Sequence, residues 1–246
     1  MIVIPMAGLS RRFSQAGYTK PKYMLPLHGG TVFDHAVGSF NHYFDSEPIL
    51  VVARDIFQTP AFVEERSKAL GIRNLQIAIL DRETAGQAET VALGLVKIGC
   101  AGNSPVTIFN IDTFRPGFCY PTAPWLSRSA GYLEVFEGQG ANWSYVRPAA
   151  ERRDECLVSE TAEKRAISNL CCTGLYHFAR ASEFLHAFDR ERARPTSSEL
   201  YVAPLYNHLI ARGSDVHYHL IRADAVNFCG TPEEYEALLE APVSGL

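Results

Sequence analysis

The sequence predicts an α/β protein with a doubly wound, mostly parallel mixed sheet, in a single domain that spans residues 1–246. Two observations support this prediction. Short apolar runs rich in Val, Ile and Leu alternate with segments whose apolar residues recur at helical spacing. In addition, the chain has 246 residues, of which 47% are hydrophobic, so it is long enough to bury a large core.

The first half of the chain contains predicted strands and helices in alternation. Each predicted strand is a short, largely apolar run, and such runs in alternation with helices are typical of a parallel sheet that is covered on both faces. Thr31, with Asp34 three residues later, predicts a capped start of the first helix, and Gly71 ends the second helix. The predicted strands are 2–6, 48–53, 75–80 and 105–109, and the predicted helices are 31–40, 60–70 and 85–96.

The second half is less regular, which favours mixed or antiparallel strand pairing. Residues 216–220 and 224–228 are predicted to form a closing pair of strands, and 190–198 (RERARPTSS) is predicted to be a loop. The other predicted strands are 131–136, 142–146 and 172–178, and the predicted helices are 182–188, 201–212 and 232–239.

Charge and cysteine content narrow the class of protein. A net charge of −4 argues against binding to nucleic acid or to an anionic membrane, because no basic surplus is present. The chain has no apolar run near 18 residues and no basic segment before its first apolar stretch, so neither a membrane span nor a signal peptide is expected. Its six cysteines show no CxxC spacing, which favours free thiols and a cytoplasmic location.

A phosphate-binding loop is predicted directly after the first strand. The small-residue segment Ala7–Phe13 contains Arg11 and Arg12, and Lys20-Pro21-Lys22 follows shortly after. Backbone N–H groups of such a loop can approach a phosphate chain, and the basic side chains add positive charge. The segment is neither a Walker A loop nor a GxGxxG fingerprint. Spacing alone leaves two interpretations open, a triphosphate site and an ordinary tight turn with solvated basic side chains.

Two further stretches follow predicted strands, at the sheet edge where such folds bind ligands. Asp112 comes just after the strand 105–109, where a carboxylate can either hold Mg²⁺ against phosphate oxygens or cap a turn. Gly86 and Gln87 open the helix 85–96. Gly86 would allow close approach of a planar base, and Gln87 would offer a donor and an acceptor to the edge of that base. The alternative is a helix start with a permissive glycine.

Together these motifs resemble the signature of the nucleotidyltransferases that activate sugar 1-phosphates and related phosphate esters. That signature is a strand, a small-residue loop with Gly and Arg, a Pro-Lys pair and a Leu-x-Pro-like run, here Ala7–Phe13, Pro21-Lys22 and Leu25-Pro26. The resemblance implies a Rossmann-like nucleotide-diphospho-sugar transferase fold with a nucleotide-binding half (1–115) and an acceptor-binding half (116–246). It implies Mg²⁺ as cofactor, and an NTP and a phosphorylated small molecule as partners. Short bacterial members of this kind commonly serve capsule or surface-glycan synthesis.

The resemblance also implies roles for individual residues. Arg12 would steady the leaving pyrophosphate, Lys22 would bind the α-phosphate in the transition state, and Asp112 would hold Mg²⁺. The residues implied to bind the nucleotide are Ala7, Gly8, Leu9, Ser10, Gly86 and Gln87.

In the second half, Ala162-Glu163-Lys164 resembles the family's Glu-Lys pair, and Thr173–Tyr176 resembles its Thr-Gly-x-Tyr strand. Lys164 would then reach the acceptor phosphate, Glu163 would bind acceptor hydroxyls, and Gly174 would leave room for the body of the acceptor.

The chain departs from the family pattern at one expected metal ligand. The family often has a second metal-binding Asp two residues before a late Gly-Thr, and this chain has Phe228 at that position. Asp224 shares the strand parity of Phe228 and is the substitute ligand, although four residues of strand span about 13 Å. Asn227 is nearer, but it would point to the opposite face.

We therefore expect a nucleotidyltransferase that joins an NTP to a phosphate-monoester acceptor and releases pyrophosphate. The alternatives are a cytidylyltransferase for a non-sugar phosphate or phosphonate, a glycosyltransferase of the related nucleotide-sugar fold, and a nucleotide-sensing module without catalysis. The sequence selects neither the base nor the acceptor, and it is compatible with a homo-oligomer.

Overall fold

The computed structural model describes residues 1–150 and 156–241, in which strands and helices alternate. The strands are β1 (Ile2–Pro5), β2 (Pro26–Leu27), β3 (Gly30–Thr31), β4 (Ile49–Arg54), β5 (Leu75–Leu80), β6 (Val106–Phe109), β7 (Thr113–Phe114), β8 (Gly131–Glu137), β9 (Ser144–Pro148), β10 (Val158–Glu163), β11 (Leu170–Phe178), β12 (Val216–Ile221) and β13 (Asn227–Phe228). The helices are α1 (Arg11–Gln15), α2 (Val32–Gly38), α3 (Thr59–Leu70), α4 (Gln87–Lys97), α5 (Ala181–Ala193), α6 (Leu205–Ala211) and α7 (Pro232–Glu240). The predicted fold class, a doubly wound α/β protein with a mostly parallel mixed sheet, is confirmed.

The chain forms two compact units, each built from more than one stretch of sequence. The N-terminal unit comprises Ile2–Glu83, Phe109–Cys119 and the stretch from Asp224, and the central unit comprises Thr84–Ile108 and Tyr120–Ala223, with Met1. The division of function between residues 1–115 and 116–246 of a single domain stays a prediction.

Parallel strands form the core of the N-terminal unit. β4 pairs in parallel with both β1 and β5, and the residues of β1 are buried throughout. Burial of β1 and of most of β4 explains why these two strands read as apolar runs. α2 begins with the predicted capping box, in which Thr31 and Asp34 bond to each other's backbone N–H groups. α3 ends at Gly71, whose φ of 81° is left-handed.

The central unit combines antiparallel and parallel pairs. β11 pairs antiparallel with both β8 and β9, β9 pairs antiparallel with β10, and β12 runs parallel to β8. β6 neighbours β11 in the strand order. This mixed pairing is the one that the irregular second half of the sequence predicts.

The predicted closing pair of strands is wrong. β12 pairs with β8 along its whole length, whereas Ala223–Ala225 forms a 3₁₀ turn and only β13 is extended beyond it. β13 pairs antiparallel with β7 in the N-terminal unit. Adjacency in sequence therefore did not identify the partners, because each of these strands pairs with a strand far away in the chain.

The predicted loop 190–198 is partly helical, because α5 continues through Ala193. Glu191 explains this extension: its carboxylate is 2% exposed and accepts hydrogen bonds from the backbone N–H and the hydroxyl of Thr196, while His208 Nε2 lies 2.7 Å away. Such a satisfied buried carboxylate fixes the end of the helix. Within the described part of the chain, no helix is long and apolar enough to cross a membrane.

Candidate active site

The predicted phosphate loop follows β1 in the N-terminal unit. Ala7 is buried, whereas Gly8 and Leu9 are exposed, so the chain reaches the surface within two residues. Ser10 has a left-handed φ of 50° and directly precedes α1. The Oγ atom of Ser10 accepts a hydrogen bond from the backbone N–H of Lys22, with an N–O distance of 3.2 Å. The loop and the Lys22 segment are thus joined directly.

Lys22 and Asp112, two of the predicted catalytic residues, form an ion pair although they are 90 positions apart in the chain. The Nζ atom of Lys22 donates to Oδ2 of Asp112 at 2.5 Å, and the two side chains are 17% and 25% exposed. Partial shielding from water strengthens the attraction between these charges relative to that of a fully exposed pair. The structure therefore brings together a cation and a carboxylate that the sequence motifs identified separately.

The C-terminal stretch packs against Asp112. The backbone N–H of Cys229 donates to the carbonyl oxygen of Asp112 at 2.8 Å, and a Cβ atom on Gly230 would lie 3.3 Å from Oδ2 of Asp112. Burial raises the pKa of the Cys229 thiol to about 12; the charge of Lys22 opposes this shift and that of Asp112 adds to it. Cys229 therefore stays a neutral thiol at physiological pH and is unsuited to act as a nucleophile.

Three arginines add positive charge to the N-terminal unit. Arg11 and Arg54 both contact Glu83, at 3.5 Å and 3.6 Å. Arg12 is exposed. The pKa of Glu233 is lowered, chiefly by hydrogen bonds to its carboxylate, and the nearby charge of Arg12 adds to the effect. The role of Arg12 at the pyrophosphate stays a prediction.

The donor set fits a Mg²⁺ ion that takes most of its ligands from substrate and water. The carboxylate of Asp112 is a hard oxygen ligand at the carboxyl end of a strand. Asp224 lies exposed in the 3₁₀ turn Ala223–Ala225. The hydrogen bond to the carbonyl oxygen of Asp112 comes from Cys229, further along the chain. Among residues 1–150 and 156–241, no group of three His, Cys, Asp or Glu side chains is arranged to hold a metal. A second ligand role for Asp224 stays a prediction.

The backbone of Leu200 occupies the space beside Gly86 in which the sequence predicted a planar base. Gly86 has φ of 147° and ψ of −178°, and a Cβ atom there would lie 2.6 Å from both the backbone N and O of Leu200. The main chain of Leu200 bonds to Ala85 on one side and to Ala88 on the other, each at 2.8 Å. Packing against Leu200 therefore explains why position 86 is a glycine. Base binding by Gly86 and Gln87 stays a prediction.

Glu163 ends β10 in the central unit and is held by Ser144. The Ser144 hydroxyl donates to the carboxylate of Glu163, and the hydroxyl of Tyr176 lies 3.4 Å from that of Ser144. Burial raises the pKa of Glu163, and the hydrogen bond from Ser144 and the charge of Lys164 oppose the shift. The carboxyl group of Glu163 therefore loses its proton less readily than an exposed carboxyl group does.

Lys164 is held at both ends. Its backbone, with a left-handed φ of 53°, donates from N–H to the carbonyl oxygen of Trp143 at 2.9 Å. Its Nζ atom donates to the hydroxyl of Tyr201 at 2.6 Å. Gly174 has φ of 98° and lies where the register between β11 and β8 shifts, so it belongs to a bulge in the strand. Contact of Lys164 or Gly174 with an acceptor stays a prediction.

Sequence reasoning missed Ser144 and Tyr201, the two hydroxyls that hold the predicted acceptor residues. Tyr201 is 37 positions from Lys164, and Ser144 is 19 positions from Glu163. No local spacing indicates either contact. The nearest signal was the strand predicted at 142–146, which contains Ser144.

Comparison with known proteins identifies the family. The crystal structure of the nucleoside-diphosphate-sugar pyrophosphorylase from Vibrio cholerae is 51% identical to this chain, covers 98% of it and 100% of its own chain, and superposes with a TM-score of 0.91. The chain belongs to this nucleotidyltransferase family. It is therefore an enzyme of the nucleotidyltransferase class, and the resemblance inferred from the N-terminal motifs is confirmed to that level.

More distant structures share the fold. A UDP-glucose pyrophosphorylase complexed with UDP-glucose is 15% identical over 97% of this chain and 96% of its own, with a TM-score of 0.73. A UTP-bound UGPase from Acinetobacter baumannii is 16% identical over 99% and 95% of the two chains, with a TM-score of 0.69. At these identities the likeness concerns the fold alone. Neither a protein-family model nor a curated protein sequence matches the chain.

Proposed function

We propose that the enzyme transfers a nucleoside monophosphate from an NTP to the phosphate of a sugar phosphate, releasing pyrophosphate. The observation that carries this proposal is the ion pair between Lys22 and Asp112 beside the loop that follows β1. The pair sets an ammonium group and a carboxylate, groups that suit phosphate and Mg²⁺, next to exposed backbone in a chain of the pyrophosphorylase family.

This transfer requires alignment of the two phosphates and neutralisation of their charge more than it requires proton transfer. The attacking oxygen of a phosphate monoester is already ionised at neutral pH, so a general base is not needed. Lys22 would bind the α-phosphate, where negative charge builds during displacement, and Arg12 would steady the β- and γ-phosphates of the leaving group.

Asp112 would be the protein ligand of Mg²⁺. Bound Mg²⁺ would neutralise phosphate oxygens of the triphosphate. The ion pair with Lys22 holds the Asp112 carboxylate on the side of the loop, and the backbone bond from Cys229 fixes the main chain beneath it. These two contacts orient the carboxylate before any ligand arrives.

On the acceptor side, Lys164 would bind the phosphate of the sugar phosphate and Glu163 would bind sugar hydroxyls. The Glu163 carboxylate, held in place by the Ser144 hydroxyl, can accept hydrogen bonds from such hydroxyls. The bulge at Gly174 would leave space beside β11 for the sugar.

The finer assignments rest on the resemblance of the sequence motifs. They are Mg²⁺ as the metal, synthesis of capsule or other surface glycans as the use of the product, and the cytoplasm as the place of reaction. A cytidylyltransferase for a non-sugar phosphate or phosphonate would use the same N-terminal residues. It would differ in what Glu163 and Lys164 bind.

The test begins with thermal-shift measurements of CTP, UTP, dTTP, GTP and ATP with Mg²⁺. The nucleotide that stabilises the protein most is then incubated with glucose 1-phosphate and a panel of other sugar phosphates and phosphonates, and pyrophosphate release is measured. We expect release with at least one sugar phosphate. Binding of an NTP without release would support a sensing module, and sugar transfer from a nucleotide sugar would support a glycosyltransferase. Either result would overturn the proposal.

A further inference from the structure

The segment that connects α5 to α6 is bonded to the start of α4 through its main chain. The N–H of Leu200 donates to the carbonyl oxygen of Ala85, and the carbonyl oxygen of Leu200 accepts from the N–H of Ala88, both at 2.8 Å. These bonds enclose Gly86, where a side chain would collide with the backbone of Leu200. Leu200 is also buried, so its position is fixed by packing as well as by hydrogen bonds.

The next residue, Tyr201, directs its hydroxyl to the ammonium group of Lys164. The O–N distance of 2.6 Å is that of a strong charge-assisted hydrogen bond. This bond is the main cause of the raised pKa of Lys164; burial opposes the shift, and the charges of Glu163 and Glu199 add to it. The ammonium group is therefore fully charged at neutral pH.

We propose that Tyr201 is a positioning residue that orients Lys164 towards the phosphate of the acceptor, and that the Leu200 backbone holds Tyr201 in place from the loop around Gly86. The proposal rests on the proposed function, because it takes Lys164 to be the acceptor-binding cation. It adds a residue that is not among the predicted site residues. It also makes the backbone around Gly86 part of the support for Lys164.

The physical reason is the flexibility of lysine. A free Lys side chain loses conformational entropy when it is fixed, and a partner that holds it beforehand removes part of that cost from binding. The bond to Tyr201 uses one of the three ammonium protons, so two remain for phosphate oxygens. Tyr201 therefore limits the positions of Lys164 without competing for the charge that binds phosphate.

The decisive variant is Tyr201→Phe, which keeps the ring and removes the oxygen. With the nucleotide at saturation and glucose 1-phosphate, or the best acceptor of the panel, as the varied substrate, we expect the acceptor KM to rise about fivefold to tenfold. The nucleotide KM should stay within about twofold, because the main chain of Leu200 is untouched. Tyr206→Phe is the matched control: it removes a buried hydroxyl that donates to the carbonyl oxygens of Tyr132 and His177. This control should lower the thermal stability and leave the acceptor KM unchanged.

A wild-type acceptor KM in Tyr201→Phe would overturn the inference while leaving the proposed function intact. Absence of pyrophosphate release by the wild-type enzyme would instead contradict the proposed function, whatever Tyr201 does. The two failures are therefore distinguishable in one set of assays.

A second measurement does not depend on turnover. Acetic anhydride labelling of Lys164, followed by mass spectrometry between pH 7 and pH 10, reports how readily the amine loses its proton. Loss of the Tyr201 hydroxyl should lower the pKa of Lys164 and increase its labelling about twofold to fivefold in this range, with Glu163 and Glu199 still present. Equal labelling of the wild type and Tyr201→Phe would show that the bond does not form in solution, and the inference would fail.

Discussion

The predicted site residues are held in different ways in the two units. In the N-terminal unit, two of them contact each other: Lys22 bonds to Asp112. In the central unit, the two charged residues of the predicted set are each held by a residue outside that set. Ser144 holds Glu163, and Tyr201 holds Lys164.

This difference shows where sequence motifs are informative. The motifs identified the two opposite charges of the Lys22–Asp112 pair as candidate site residues, and the structure joined them. The motifs did not find the neutral hydroxyls that orient such residues, because serine and tyrosine are common and their partners are distant in the chain. Three measurements test this difference between the two units.

The largest effect is expected from Lys22→Ala. If Lys22 acts mainly in the transition state, kcat should fall by about 10²-fold to 10³-fold while the nucleotide Kd changes by less than about threefold. Steady-state kinetics and isothermal titration calorimetry give the two quantities. Lys68→Ala, which removes an exposed lysine from α3 in the same unit, is the control and should keep both values. Equal losses in kcat and affinity would contradict the assigned transition-state role of Lys22.

An intermediate effect is expected from Gly86→Ala. A Cβ atom would lie 2.6 Å from the backbone of Leu200, at a φ of 147° that side chains rarely adopt. We expect a loss of about 3 kcal/mol in the free energy of unfolding, seen as a fall in Tm of about 6–12 °C. Calorimetry or circular dichroism measures it.

The control for this variant is Gly102→Ala in the same unit, where among the described residues an added Cβ meets no atom within 4 Å. Its Tm should stay within about 2 °C of the wild type. Equal Tm values for the two variants would show that the Leu200 backbone is not held against Gly86. Tyr201 would then lose the main-chain support that we propose for it.

The smallest effect is the pH dependence of Glu163→Gln. Because the pKa of Glu163 is raised in the folded state, the folded protein binds this proton more tightly than the unfolded chain does. Wild-type stability from this group is therefore present below the ordinary value near 4.5 and is lost as the pH rises through the raised pKa. Relative to the wild type, the variant should gain about 1–2 °C in Tm between pH 4 and pH 7.

Thermal unfolding at several pH values checks this sign. Glu137→Gln, at the exposed end of β8 in the same unit, is the control for the loss of a surface carboxylate. A Tm difference for Glu163→Gln that is constant with pH would mean that Glu163 is solvated like a surface carboxylate. The claim that Ser144 holds a buried group would then fail.

Much of the fold could be predicted from local patterns. The strands β1, β4, β5 and β6 read as largely apolar runs, and the capping box at Thr31 marked the start of α2. Both signals depend only on residues close together in the chain, so they can be recognised in the sequence alone. The departure at Phe228 was also visible, and the pairing of β13 with β7 now brings that stretch to Asp112.

Strand partners and supporting contacts could not be predicted in the same way. Nothing in the residues 216–228 indicates that β12 pairs with β8 while β13 pairs with β7, because the period of a strand does not encode its partner. The same holds for the bonds of Tyr201 to Lys164 and of Leu200 to the start of α4. These contacts join distant segments through packing and through the need to satisfy polar groups, and both act only once the chain has folded.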